Sequence, residues 1–266
     1  MIEFDVQRIK ERVWRILNQY GHTFYLVEGE MRAAVIDTGM TEGVRILPKL
    51  RTLTEKPLVL ILTHAHFDHC YHMDEFETVY MCHDELRMPN WFLREMMCGR
   101  ELNLEKTIHI DTDSVIDLGC RSFTVCKVPG HTPGSVVIFD NQDNLVFTGD
   151  AIGSGCGVWL QMPGSTSLAE YEQSLIHFIK WLLERPGFLE FWGGHCLQRG
   201  MSTQVPGDNP LSIGLLADLI DLVHGLVNGT ISGWQTDIPD NFRAGKEARN
   251  AAFGRAEITY NPDYLI

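Results

Sequence analysis

Positive charge is scarce in this 266-residue chain: 22 Lys and Arg stand against 35 Asp and Glu, a net charge of −13. A nucleic-acid partner demands a basic field against its phosphates, and this chain offers the opposite. The same excess repels anionic membranes. Long apolar runs are missing as well; none approaches the roughly 18–20 residues that span a bilayer. The N-terminus, MIEFDVQRIKERVWRILNQYG, interleaves charges with apolar residues and lacks the h-region of a signal peptide, so a cytoplasmic protein, or a mature form supplied without its leader, is expected. The seven cysteines are an odd number, scattered and without a CxxC pair, which points to reduced thiols rather than a disulfide framework. Repeats, low-complexity tracts and Pro/Ser-rich linkers are absent. What is present is 44% hydrophobic and 10% aromatic residues, enough to fill a core and to exclude disorder.

Strand and helix patterns alternate throughout, which predicts an α/β or α+β fold. Residues 23–28 and 32–37 flank Gly29 as a hairpin. The run 58–63 (LVLILT) has strand length and no polar face, as expected for a strand buried on both sides. Three further strands are expected at 121–128, 134–139 and 144–148. Ser167 and Glu170 form a capping box ahead of Tyr171, Leu175, Phe178 and Leu182, and Pro186-Gly187 stops that helix. Asn209 and Pro210 supply an N-cap and first position for a helix through Leu215, Leu219, Val223 and Leu226, ending at Asn228-Gly229. In residues 6–20, Val6, Ile9, Val13, Ile16 and Tyr20 fit a helix, although VWRIL within them is strand-like.

Chemistry concentrates in Thr63-His64-Ala65-His66-Phe67-Asp68-His69, directly after the buried strand. A strand end and tight loop can turn His64 and His66 to one side, with Asp68 and His69 facing a neighbouring point. Pro-Gly-His around His131, Thr-Gly-Asp around Asp150 and Gly-Gly-His around His195 each follow an expected strand beside glycine, which lets a side chain turn into a shared cleft. Five histidines and two aspartates suffice for two metal ions with positions left for water, and imidazole with carboxylate suits zinc, iron or manganese.

These motifs, with Ile36-Asp37-Thr38-Gly39 as an early strand-end motif, resemble the metallo-β-lactamase fold superfamily of hydrolases over roughly residues 13–200. The resemblance implies a four-layer αββα sandwich with metals at one edge between the sheets, a single domain over 1–266, and strand rather than helix at 13–17. It implies His64, His66 and His131 on one metal, Asp68, His69 and His195 on a second, and Asp150 bridging both. The cofactors implied are two divalent ions, zinc ahead of iron or manganese. A bridging hydroxide would be the nucleophile, available at neutral pH because coordination lowers the pKa of water toward about 7. Asp68, beside it, would share in proton transfer, which makes Asp68 and Asp150 the expected catalytic residues. Where the family often has two glycines after HxHxDH, this chain has Cys70-Tyr71-His72. Tyr71 and His72 either narrow the cleft or begin a helix, and Cys70 and Cys196 are expected as buried thiols rather than ligands.

Within such a family, Asp150 and the lack of a leader count against a true β-lactamase. The aspartate is typical of glyoxalase-II-like thioesterases, lactonases and phosphodiesterases. Glyoxalase-II-like members bind glutathione through basic C-terminal residues, whereas 201–245 holds only Arg243, so a polyanionic thioester is not favoured. Arg199, four residues past His195, is the nearby cation that can meet a carboxylate or phosphate. Met88, Trp91, Phe92, Met96 and Met97 form either a lid over the metals or ordinary helical core, and Trp159 a further wall. The expectation is a dinuclear metal-dependent hydrolase that cleaves an ester-like bond (lactone, thioester or ester) in a small molecule, with Tyr71, Trp91, Trp159 and Arg199 at the substrate. A small-molecule phosphodiesterase and a non-hydrolytic di-iron redox or binding protein of the same fold are the alternatives. Residues 230–266 carry no recognisable chemistry; beyond a closing strand at Ala256–Tyr260 they read as a cap or a homodimer contact.

Overall fold

Period-two alternation of apolar residues writes most of the architecture. The computed structural model describes residues 4–99, 104–153, 157–195, 211–236 and 247–265. Its strands are β1 (Asp5–Lys10), β2 (Val13–Leu17), β3 (Thr23–Glu28), β4 (Ala33–Ile36), β5 (Leu58–Ile61), β6 (Val79–Met81), β7 (Thr107–His109), β8 (Val115–Asp117), β9 (Ser122–Lys127), β10 (Val136–Asp140), β11 (Leu145–Gly149), β12 (Val158–Leu160), β13 (Glu190–Gly193), β14 (Trp234–Gln235), β15 (Arg249–Phe253) and β16 (Ala256–Tyr260). The α-helices are α1 (Leu47–Leu50), α2 (Phe67–Cys70), α3 (Asn90–Met96), α4 (Leu168–Leu183) and α5 (Ile213–Val227).

Strands β1 to β7 lie in chain order across one sheet; the first four pair antiparallel and β4 to β7 run parallel. A second sheet has the order β13-β11-β10-β9-β8. In the first sheet, Ile16, Phe24, Leu26, Val35 and Leu60 pack with Leu50, Phe92 and Met96 of the helical segments. The alternate residues Val13, Tyr25, Val27, Ala34, Ile36 and Ile61 meet Phe123, Val125, Val136, Ile138 and Phe147 of the second sheet. The other face of that sheet, Val137, Phe139 and Val146, packs on Tyr171, Leu175 and Phe178 of α4, with α5 in the same cluster. Each strand thus divides its side chains between two cores, and the layers run helix, sheet, sheet, helix.

The helical spacing in residues 6–20 produces no helix. Residues 5–10 and 13–17 are a hairpin with Val6 opposite Ile16, and the three-residue step from Val13 to Ile16 sends the two side chains to opposite cores. Pairing in the sheet overrides the helical spacing, and β2 is the strand at 13–17 that the resemblance implied. Helix α4 begins as its capping box predicts, with the Ser167 side chain accepting from Glu170 N. Helix α5 begins later than expected: Ser212 caps it, accepting from Leu215 N at 3.1 Å, and Asn209 and Pro210 lie outside the described residues. The expected closing strand is β16. It pairs parallel to β12 and antiparallel to β15 in a third sheet of order β12-β16-β15-β14, whose Ala251, Ile258 and Tyr260 pack into the α4–α5 core. No helix among the described residues is long and apolar enough to cross a membrane.

Candidate metal centre

The ends of β4, β5, β11 and β13 are stitched together at one edge of the sandwich. Asp37 N donates to Ile61 O, Gly194 N to Gly149 O, and Thr23 N to Gly194 O, so both sheets deliver their loops to one place. Loops beyond the carboxyl ends of parallel strands are where open sheets form clefts. His64 and His66 follow β5, His66 in extended backbone, and the single turn of α2 then presents Asp68 and His69. His131 lies in the β9–β10 loop, and His195 two residues past β13. Gly149, with φ +49°, brings Asp150 in: a Cβ there would stand 2.3 Å from Thr63 Oγ1.

All seven residues expected as ligands converge. His64, His66 and His131 form one group and His64, His69 and Asp150 another. A third contains Asp68 and His195 with His22. Within each group the ligand atoms lie within 4.8 Å of one another. Asp150 Oδ2 stands between groups, 3.1 Å from His195 Nε2, 3.5 Å from His69 Nε2 and 3.8 Å from His131 Nε2.

Hydrogen bonds to the far ring nitrogens turn these rings. Asp37 Oδ2 accepts from His69 Nδ1 at 2.9 Å, and Trp159 O accepts from His131 Nδ1 at 2.7 Å. The Thr63 hydroxyl donates to Asp37 Oδ2, so its oxygen receives the Nδ1–H of His64 at 3.1 Å. In these three rings Nε2 faces the centre while an acceptor holds the far nitrogen, as in histidines that bind metals. His64 Nε2 is thereby a bare lone pair, buried and without a hydrogen-bond partner. A divalent cation fits that atom and this donor set.

The charges agree. Burial alone would raise Asp150 and Asp68, yet His195 and His69 beside Asp150, and His69, His195 and His22 beside Asp68, hold both carboxyls below their usual range. Burial alone would lower His69 and His195, yet Asp150 and Asp68 hold both above theirs, with Asp37 adding to His69. In the metal-free chain, protons on these rings stand where cations would balance the carboxylates. His66 is pushed down by burial and by His131 to about 3, and His64 and His131 are lowered by burial.

Three contributors were not among the expected site residues. Asp37 was visible only as part of a strand-end motif; it adopts φ +59° and orients two rings at once. His22 precedes β3 with no motif around it. Glu85, inside the Met-rich stretch, is fully buried and accepts from Ala65 N at 3.0 Å, Gly134 N at 2.9 Å and the Thr132 hydroxyl. It ties the loop between His64 and His66 to the loop after His131. Burial pushes its carboxyl up to about 7.

The expected substrate residues are spread more widely. Tyr71 and His72 line a cavity of about 340 Å³ with Arg45 and Glu75, and His72 Nδ1 is 2.9 Å from Glu75 Oε1. Met88, Phe92, Met96 and Met97 are core, whereas Trp91 is 54% exposed with its ring edge-on to Phe92. Phe92 in turn is 6.0 Å from the His66 ring. Trp159 reaches the centre through its carbonyl oxygen. Cys70 is buried as expected, and Arg199 and Cys196 lie outside the described residues.

The family model described as the metallo-beta-lactamase superfamily matches residues 17–184. The chain belongs to that superfamily. Among curated superfamily relatives, the human acyl-coenzyme A thioesterase MBLAC2 is 26% identical over 237 residues, covering 74% of this chain and 82% of that protein. The hydroxyacylglutathione hydrolase of Bartonella henselae is 30% identical over 129 residues, 47% of this chain and 45% of that protein. Among solved structures, a metallo-beta-lactamase from Pontibacter korlensis superposes with a TM-score of 0.61 at 17% identity, covering 84% of this chain and 99% of that one. The metallo-beta-lactamase fold expected from the motifs is therefore the fold of this chain, and the hydrolase class is supported at the level of the superfamily.

Proposed function

We propose that the chain is a dinuclear metal-dependent hydrolase of an ester-like bond in a small molecule, with acyl thioesters the first class to test. The observation that carries this is the bare, buried Nε2 of His64 among oriented histidines, with Asp150 Oδ2 set between the groups. His64, His66 and His131 would hold one ion, Asp68, His69 and His195 the second, and Asp150 both. Zinc is the first choice, and iron or manganese suit the same donors. Bound there, divalent cations supply an activated water at neutral pH and a Lewis acid for the acyl oxygen. Asp37 and Thr63 keep the His64 and His69 rings turned inward, and the Trp159 carbonyl does the same for His131. Asp68 Oδ2, 3.4 Å from His195 Nε2, is the carboxylate placed to hold a proton during turnover. The relatives named as thioesterase and hydroxyacylglutathione hydrolase favour the thioester class. The scarcity of Lys and Arg argues for recognition through the acyl portion rather than through a polyanionic thiol.

The test is thiol or acid release at neutral pH from acyl-CoA and glutathione thioesters, lactones and phosphodiesters, with chelator-treated protein as control. Chelator-sensitive turnover of a thioester, lactone or ester, restored by Zn²⁺, is expected. Turnover confined to phosphodiesters, or none with two equivalents of metal bound, refutes the reading.

A further inference from the structure

Proximity alone would make His22 a further ligand beside Asp68 and His195: its Nε2 is 3.8 Å from Asp68 Oδ2, and its ring stands edge-on to His195 at 5.5 Å. The hydrogen bonds on its far side exclude that role. The backbone N–H groups of Tyr20 and His22 both donate to Asn18 Oδ1 at 3.0 Å, which fixes the orientation of that amide. Asn18 Nδ2 therefore carries the donors; it gives one to Met40 O at 2.7 Å and stands 3.2 Å from His22 Nδ1. The Met40 backbone N–H, which can only donate, also points at His22 Nδ1, at 3.3 Å. Nδ1 thus receives two donors and must present its lone pair to them. A neutral imidazole has one proton to place, and with Nδ1 bare it sits on Nε2. This is the reverse of His64, His69 and His131, whose Nδ1 atoms face acceptors.

We infer that His22 is a hydrogen-bond donor at the mouth of the Asp68/His195 group rather than a ligand within it, and that its Nε2–H takes the substrate atom on which negative charge develops. The donor assignment rests on the local hydrogen bonds; the substrate contact rests on the hydrolase reading above. The ring is held from behind by Asn18 and Met40, and His22 and His195 are joined by a backbone bridge. The N–H therefore reaches the group pre-aimed, as a donor for developing charge should be. The acceptor is either the acyl oxygen or the leaving sulfur or oxygen of an ester-like group.

Three measurements on the full chain test this. In ¹⁵N-histidine-labelled parent protein, two-bond ¹H–¹⁵N correlations report the tautomer of each ring, and the His22→Gln spectrum assigns His22; an Nε2–H tautomer is expected. Zn²⁺ per chain is then counted in the parent, His22→Gln and His22→Ala. Gln returns an N–H near the position of Nε2 and Ala removes it, so both should hold the parental amount. Finally, kcat/KM on a thioester and on matched aryl and alkyl esters should fall about 100- to 1000-fold in His22→Ala and recover most of that loss in His22→Gln. A loss that deepens from aryl to alkyl ester assigns the leaving atom, and an equal loss assigns the acyl oxygen. An Nδ1–H tautomer, or loss of a metal equivalent in both variants, overturns the inference in favour of a ligand. Full activity in His22→Ala with metal retained overturns the substrate contact. If the parent itself hydrolyses no ester-like substrate, the functional reading fails and takes the contact with it, while the tautomer and the metal count still decide between donor and ligand.

Discussion

Replacing Glu85 by Gln asks how much one buried carboxylate does for a centre it never enters. Its Oε1 accepts from Gly134 N and the Thr132 hydroxyl, and its Oε2 from Ala65 N. Glutamine keeps the shape but can satisfy only one side. With its oxygen toward Gly134 and Thr132, its NH₂ confronts the Ala65 N–H, and one buried donor is orphaned. That costs about 1–3 kcal/mol. The injury falls between His64 and His66, so metal binding should weaken together with folding. A pH arm separates charge from shape. A carboxyl whose pKa rises from 4.5 unfolded to about 7 folded binds more protons in the folded state across that interval. Its contribution to stability is fully present below about pH 4.5 and is lost as the pH rises through about 7. The change is worth about 3 kcal/mol over that window. Urea unfolding of metal-free protein at a series of pH values, parent against Glu85→Gln, isolates this group because every other titration is shared. The parent's lead should be greatest below about pH 4.5 and should vanish or reverse above about 7, and competition with a chromophoric chelator should show weaker metal binding in the variant. Equal unfolding curves and equal metal affinity would refute the assignment of Glu85 as the tie between the two loops.

Two further substitutions probe the shell around the centre. Asp37→Asn keeps the size and tolerates the left-handed backbone, but sets an NH₂ against His69 Nδ1 and so drives the proton of that ring to Nε2; metal affinity should fall about 10- to 100-fold, measured by the same chelator competition, with far-UV circular dichroism unchanged. Gly130→Ala would place a Cβ 2.1 Å from the Tyr171 ring, inside the packed α4 core, so the His131 loop must shift. A loss of about 1–3 kcal/mol by overpacking is expected in thermal unfolding, with metal binding impaired; a variant as stable as the parent would contradict the packing described.

The sheets and the gathering of the seven candidate ligands were legible in the sequence because both depend on short-range pattern. The buried run at β5, the hairpin at Gly29 and the capping box of α4 are local statements, and the structure repeats them. The HxHxDH run, His131, Asp150 and His195 are recognisable because each sits beside a strand end. What stayed hidden depends on contacts far apart in the chain. His22 meets Asp68 across 46 positions, and Glu85 reaches Gly134 across 49. Neither lies in a motif, and a buried glutamate within a Met-rich stretch reads as part of a lid or a helix. The N-terminal hairpin was ambiguous to local pattern because its apolar spacing is helical while VWRIL is strand-like, and pairing between β1, β2 and β3 is what holds it as strand.

Strand β16 has a consequence for the order in which this molecule can assemble. It lies parallel to β12 with Trp159 opposite Thr259, and the carbonyl of Trp159 is the one that sets the His131 ring. Trp159 therefore sits beside a strand whose paired residue, Thr259, follows it by 100 positions. During synthesis the HxHxDH loop and the sheet beneath it leave the ribosome long before residue 260, so the β12–β16 pairing beside the Trp159 carbonyl is added after them. The surroundings of the centre are completed late, by the segment that carries no chemistry of its own.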